Sequence, residues 1–189
     1  MPNCTYDDPR LCEAQHINKL ETLAQIARTR SLKSDQKEVL LETMNIRTAT
    51  KEDLPAMAEL LHQLFAIEAD FTPDYDKQAK GLELLIDRPS ARIFVAETDG
   101  QVVGMCTVQI LVSTAMGQEV GAVEDVIIDV EHRGKSIGSA LMQTVEAWAA
   151  TKGLGRLQLR ADKDNGPALC FYRQQGWKHT NLIGWMKFL

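Results

Sequence analysis

The residues from Val123 to Gly138 point most directly to chemistry: Val123-Glu124-Asp125-Val126-Ile127-Ile128-Asp129-Val130-Glu131-His132-Arg133-Gly134-Lys135-Ser136-Ile137-Gly138. An apolar run that reads as a strand enters a tight, glycine-containing loop, and a helical pattern starts directly afterwards. Such a loop aims several free backbone N–H groups and the positive end of a helix dipole at one point. That is an anion site suited to a pyrophosphate, with Arg133 and Lys135 adding charge beside it. Two common phosphate patterns are excluded. Gly134-Lys135-Ser136 looks like the end of a G-x-x-x-x-G-K-[ST] loop, yet the required earlier glycine falls on Asp129. No G-x-G-x-x-G fingerprint occurs anywhere. The plain alternative is an ordinary strand–loop–helix junction.

A second stretch follows, Asn165-Gly166-Pro167-Ala168-Leu169-Cys170-Phe171-Tyr172-Arg173-Gln174-Gln175-Gly176-Trp177. Together the two stretches resemble the GNAT superfamily of N-acetyltransferases. Their loop reads Arg/Gln-x-x-Gly-x-Gly/Ala after a strand, and Arg133 to Gly138 fits, with Ser136 at the first glycine. The second stretch is similar to the family's Asn-x-x-Ala-x-x-Phe-Tyr-x-x-x-Gly-Phe, with Trp177 for the last Phe. The likeness covers roughly residues 45–189.

The resemblance implies acetyl transfer from acetyl-CoA to a primary amine by direct attack in a ternary complex. A primary ammonium, with a pKa near ~10.4, must shed a proton before it attacks a thioester. The resemblance assigns cofactor contacts to the loop and helix start, Arg133, Gly134, Lys135, Ser136, Ile137, Gly138 and Ser139. It assigns the backbone N–H groups of Val126, Ile127 and Ile128 to pantetheine and the acetyl carbonyl. Tyr172 matches the tyrosine that protonates the departing thiolate; a phenol stays protonated at neutral pH and can donate. An amphipathic core aromatic is the other reading of Tyr172. Asn165 matches a residue near the pantetheine arm, or simply caps the helix that follows.

Glu124 is the candidate general base, acting through a water, or else a solvated strand carboxylate. Strand alternation puts it on the face of Val126 and Ile128, with Asp125 on the opposite face. Glu68 and Asp70 lie where family members shape the acceptor site, and read in themselves as solvated charges.

The elements that must position these residues follow from periodicity. Ile46 opens a strand, and Thr50 with Asp53 caps a helix with Leu54, Met57, Leu60, Leu61 and Leu64 on one face. A helix is expected from about Tyr75 to Asp87, stopped by Arg88-Pro89-Ser90. Ile93–Ala96 and Val102–Val112 form a hairpin through Asp99-Gly100. Gly121–Val130 is a strand, Ser139–Lys152 a helix, Leu157–Ala161 a strand and Pro167–Gln175 a helix. Two short strands around Trp177 and Trp185-Met186 close the chain. The fold class is therefore α/β, a twisted mixed sheet of six to seven strands with four core helices on both faces. Residues 1–44 form a separate N-terminal helical extension before the acetyltransferase-like domain at 45–189. Leu11, Ala14, Ile17, Leu20, Ala24 and Ala27 share one helix face, whose cover is the main domain or a partner subunit in a homodimer.

Composition narrows the class. A net charge of −5 supplies no basic field for nucleic acid, and no Lys/Arg run suggests a membrane surface. No apolar stretch approaches the ~20 residues needed to span a bilayer. The N-terminus lacks an export pattern, so a cytoplasmic protein with reduced thiols is expected. Cys4, Cys12, Cys106 and Cys170 form no C-x-x-C pair, and the four histidines are dispersed, so no metal site is expected. Cys106 and Cys170 sit in apolar patterns and read as small buried side chains, not nucleophiles.

The acceptor read from the strand-end Glu-Asp and from Trp185–Leu189 is a small-molecule amine, by similarity to diamine and aminoalkylphosphonate acetyltransferases. A protein lysine or N-terminus is the alternative acceptor. A non-catalytic acyl-CoA-binding regulatory module is the alternative from another class.

Overall fold

The computed structural model describes residues 44–188. The helical extension expected upstream of Met44, with Cys4 and Cys12, lies outside the described residues. Strand β1 (Asn45–Thr48) is followed by a 3-10 turn at Lys51–Asp53 and helix α1 (Leu54–Phe65). The Asp53 carboxylate accepts from Thr50 N at 2.8 Å and takes a two-pronged contact from Arg47, at 2.7 and 2.8 Å. This capping pins the start of α1 to β1. Helix α2 (Tyr75–Ile86) starts at Asp74, whose side chain accepts from Lys77 N.

Strands β2 (Ala91–Thr98) and β3 (Gln101–Ser113) turn on Asp99-Gly100, both with positive φ, 52° and 73°. That pair of angles is the type I′ turn whose twist suits a hairpin. Strand β4 (Gln118–Ile128) continues the sheet, and a second 3-10 turn, Val130–His132, leads through a loop into helix α3 (Ile137–Thr151). Strand β5 (Leu157–Leu159) and helix α4 (Gly166–Gln174) complete the elements.

The sheet order is β1-β2-β3-β4-β5, antiparallel except for the parallel β4–β5 pair. One face carries α1 and α2 over Met57, Leu61, Leu82, Ile93, Val95, Met105 and Ile127. The other carries α3 and α4 over Phe94, Cys106, Val108, Val123, Leu141 and Val145.

Five strands replace the six to seven expected. The two closing strands read from the sequence are not formed among the described residues. The reason at Trp177 is a helix end: Gly176 takes φ 83°, Trp177 N donates to Tyr172 O and Gly176 N to Arg173 O. This 6→1 and 5→2 pairing spends Trp177 on terminating α4 and turns its ring onto Tyr172. Leu182, Ile183, Trp185 and Phe188 lie exposed beyond it. No helix among the described residues is long and apolar enough to cross a membrane.

Candidate active site

The site is built around β4, which pairs with β5 only at Gly121, Ala122 and Val123 but runs on to Ile128. Beyond Val123, that edge of β4 has no strand beside it among the described residues. Asp129 N donates to Val103 O on the β3 side at 2.9 Å, so by alternation the amide and carbonyl of Ile128 turn to the open edge. There the Ile128 carbonyl accepts from Arg133 Nε at 2.9 Å. An open strand edge offers unpaired backbone donors that a thioester carbonyl can use.

A bulge sits at the middle of this edge. Met105 pairs with Ile127 and Thr107 with Glu124, so Asp125 and Val126 together oppose Cys106. Asp125 adopts φ 55°, the left-handed region that aspartate tolerates better than most residues. The extra residue flips the alternation. Ile127 packs on the α1–α2 side, while Val126 and Ile128 pack on the α3–α4 side. Glu124, paired with Thr107, therefore lies on the face opposite Val126 and Ile128, which corrects the strict alternation read from the sequence. Asp125 joins the Glu124 side, where Thr107 Oγ1 donates to its Oδ2 at 2.9 Å.

The two neighbouring carboxylates differ in partners. Glu124 Oε1 receives Arg160 Nη2 at 2.8 Å and Oε2 receives Gln109 Nε2 at 3.3 Å. Asp125 has only the threonine among the described residues, and burial pushes its carboxyl up to about 6, opposed by the Thr107 hydroxyl and assisted by the charge of Glu124. Glu68, just past α1, is also pushed upward, first by burial and then by Asp125, Asp162 and Asp70. It belongs to this acidic cluster and is not the freely solvated charge its sequence context suggested. The signal for Asp125 was present in the sequence as the residue next to Glu124; the bulge that aims it was not.

Tyr172, on α4, is held edge-on between Phe171 (ring centroids 5.2 Å apart) and Trp177 (6.1 Å). Burial pushes its phenol up to about 12, with Cys106 and Glu68 adding to the shift. Tyr172 packs against the core cluster that holds Cys106, the residue opposite Asp125 and Val126. The Cys106 thiol is itself buried and pushed up to about 12, which leaves it unreactive at neutral pH. Cys170 is exposed, in contrast to the buried position expected of it.

The anion loop has the form its sequence suggested. Gly134 and Ser136 take φ 74° and 65°, and no side chain caps the start of α3. The first N–H groups of that helix thus have no side-chain partner among the described residues. Ile137 is buried and fixes the helix start in the core. Gly138 faces the Phe171 ring, which an added Cβ would meet at 3.4 Å, so this glycine also serves α3–α4 packing. Ser139 Oγ accepts from Gln175 Nε2 at 3.0 Å, a second tie between the same helices. Arg133 and Gly134 are exposed, and Lys135 is half-buried. Asn165 caps α4 through Ala168 N at 3.1 Å. A thioester donor with a pyrophosphate therefore fits: an uncapped helix start lies at one end and an open strand edge at the other.

The acetyltransferase (GNAT) family profile matches residues 55–177 of the chain. Over 156 residues the chain is 27% identical to an uncharacterized N-acetyltransferase of Methanocaldococcus jannaschii, covering 79% of this chain and 68% of that protein. It is 25% identical over 147 residues to the aminoalkylphosphonate N-acetyltransferase of Salmonella typhimurium, with coverage of 78% and 93%. Among solved structures, an aminoglycoside acetyltransferase from an uncultured soil metagenomic sample, in complex with sisomicin, shares the fold. It has a TM-score of 0.67 and 21% identity, and the match covers 79% of this chain and 99% of that one.

Proposed function

The chain belongs to the GNAT family of acetyltransferases and is an acyltransferase; from that premise we propose that it moves acetyl from acetyl-CoA to a primary amine of a small molecule. The observation that carries this reading is the open edge of β4, with Asp125 at its bulge, Tyr172 packed against the cluster that holds Cys106, and the uncapped start of α3 beyond it.

In this reading the amine attacks directly, without an acyl-enzyme. The loop from Arg133 to Ser136 and the first turn of α3, Ile137, Gly138 and Ser139, hold the pyrophosphate, with Asn165 at the pantetheine arm. Backbone N–H groups of Val126 and Ile128 polarise the acetyl carbonyl and stabilise the oxyanion that forms on attack, whereas Ile127, paired with Met105, turns its amide to β3 and not to the donor as its sequence position implied. The ammonium gives its proton, directly or through a water, to a carboxylate of the Glu124-Asp125 pair. Asp125 is the better proton acceptor of the two. Its carboxyl is poised near 6, whereas Glu124 Oε1 is engaged by Arg160 in an exposed ion pair. Glu124, Asp125 and Glu68 together draw a cationic acceptor to this side of the sheet. When the tetrahedral intermediate collapses, the C–S bond breaks, Tyr172 protonates the leaving thiolate, and the second proton shed by the attacking nitrogen as it becomes an amide restores the phenol. The amide product and free thiol then depart.

A small amine is favoured by the likeness to the aminoalkylphosphonate enzyme and by the acidic acceptor side. The test is thiol release from acetyl-CoA with a panel of diamines, aminoalkylphosphonates, aminoglycosides and a lysine peptide. Release that depends on a small amine and saturates supports the reading. Release with the peptide alone moves the acceptor to protein, and coenzyme binding without release from any amine sinks catalysis.

A further inference from the structure

We propose that Asp129 is a positioning residue for the pyrophosphate of the donor, the hub of a clasp that ties the anion loop to α1 through Gln63. The inference rests on the acetyl-CoA reading above and adds to it residues that touch no substrate.

The loop has a mechanical problem. Between the end of β4 and the start of α3 it passes through two left-handed residues, Gly134 and Ser136, and it must still present its N–H groups at one point. A segment with such backbone excursions keeps one shape only when both ends are fixed. Burial of Ile137 fixes the downstream end. The upstream end is fixed by Asp129, whose backbone N–H donates to Val103 O at 2.9 Å.

Its side chain then gathers three donors from three places. Oδ1 accepts from Glu131 N at 3.0 Å and from His132 Nδ1 at 2.9 Å. Oδ2 accepts from Gln63 Nε2 at 3.1 Å. His132 and Gln63 hold the carboxyl below the usual carboxylate range, so it is an anion at neutral pH. While Asp129 reaches forward to Glu131 and His132, Arg133 reaches back to the Ile128 carbonyl, and the two side chains lace the same turn from opposite ends.

Gln63 makes the clasp more than a local turn. It rides on α1, whose Met57, Leu60, Leu61 and Leu64 are buried in the core, so it is a fixed post. Its amide orientation is set by Asp129, because the reverse would bring Oε1 against a carboxylate oxygen. As it stands, Oε1 is buried with no partner among the described residues. Folded proteins seldom leave such a group unpaired, and here the contact to Asp129 accounts for it. The helix that leads to Glu68 on the acceptor side is thereby joined to the loop on the donor side.

The test compares two thioesters: acetyl-CoA, and S-acetylpantetheine, which lacks the pyrophosphate. Wild type, Gln63→Leu, Asp129→Ala, His132→Leu and His132→Asn are assayed with both. The clasp variants are expected to raise KM for acetyl-CoA about tenfold, the scale of one lost hydrogen bond to a charged group, with kcat retained. Their kcat/KM for S-acetylpantetheine stays at the wild-type value. His132→Asn, which restores a side-chain N–H donor near Nδ1, recovers most of the loss. Unchanged acetyl-CoA KM in Gln63→Leu, or equal losses with both donors, overturns the proposal. Gln63→Leu keeps the side chain's bulk, so it carries the test where Asp129→Ala fails to fold. Calorimetric binding of coenzyme A against pantetheine gives the same comparison without turnover. A wild type that binds but transfers nothing therefore refutes the acetyltransferase reading while the clasp is still decided. A wild type that binds no coenzyme A overturns both.

Discussion

Thr107 Oγ1 donates to Asp125 Oδ2 at 2.9 Å across the β3–β4 bulge. This bond holds a half-buried carboxylate on left-handed backbone. Burial raises the pKa and the threonine lowers it, and the balance lies near 6. A carboxyl there is ionised at neutral pH yet still basic enough to take a proton. In the proposed mechanism the pair therefore ties the shape of the sheet to the proton transfer.

Asp125→Asn is expected to lower kcat/KM by about 100-fold or more, the usual range for loss of a general base. Glu124→Gln is expected to cost less than about tenfold. Wild-type kcat/KM should rise with pH through a step near 6, and Asp125→Asn should lose that step. A pH–rate profile of the three proteins decides this. An intact step in Asp125→Asn, or a larger loss in Glu124→Gln, would return the base to Glu124.

The same substitution should stabilise the fold at neutral pH. The folded pKa of Asp125, about 6, stands above its ordinary value of 3.8. Its contribution is therefore fully present below about 3.8 and is lost as pH rises through 6. Asparagine does not titrate, accepts the Thr107 hydrogen bond and tolerates positive φ. We expect Asp125→Asn to gain on the order of 1 kcal/mol over wild type at pH 7, discounted for partial solvent access, and nothing at pH 4. Denaturant melts at the two pH values measure it.

Tyr172→Phe keeps the ring between Phe171 and Trp177 and removes only the proton donor. The expected result is a fall of about 100-fold in kcat with little change in acetyl-CoA KM or in Tm. A fall in Tm comparable to a core truncation would assign the tyrosine to packing instead.

Ser136 occupies φ 65° with no side-chain cap to compensate. Ser136→Gly relieves a conformation that costs an L-residue about 1 kcal/mol or more. Greater stability and a lower acetyl-CoA KM are expected together, read by thermal melts and donor titration.

Gly104 pairs with Ile128, and a Cβ there would fall 2.5 Å from Ile128 Cδ1 and 3.2 Å from the Ile127 carbonyl oxygen. Gly104→Ala must therefore turn the Ile128 side chain aside and press on the Ile127 carbonyl at the edge of β4, at roughly 1–3 kcal/mol. The activity loss should exceed that of an alanine at Gly81, where nothing lies within 4 Å. Equal kinetics in the two variants would show that the edge yields without consequence.

Much was legible in the sequence because it is encoded locally. The helix faces of α1 and α3, the Asp99-Gly100 turn and the strand–loop–helix junction at Arg133–Gly138 depend on residues within a few positions of one another. The two motifs identified the family for the same reason, since each belongs to one contiguous element. Their presence did not reveal the second use of Gly138, against Phe171, because a contact between helices leaves no local pattern.

What only the tertiary structure decided turns on register and partners. Period-two alternation assumes one residue per partner, and the two-for-one bulge opposite Cys106 moved Glu124 to the other face from Val126 and Ile128. The pairing of Glu124 with Arg160, 36 positions away, and the lone threonine left to Asp125 then separated the chemistry of two adjacent carboxylates. Trp177 read as strand by its apolar context, yet hydrogen bonds at the end of α4 claimed its backbone. Spacing determined most of the elements, and the two motifs which family they build. Non-local hydrogen bonds, desolvation and one inserted residue determined how differently two adjacent carboxylates are held, because those depend on what stands opposite each side chain in space.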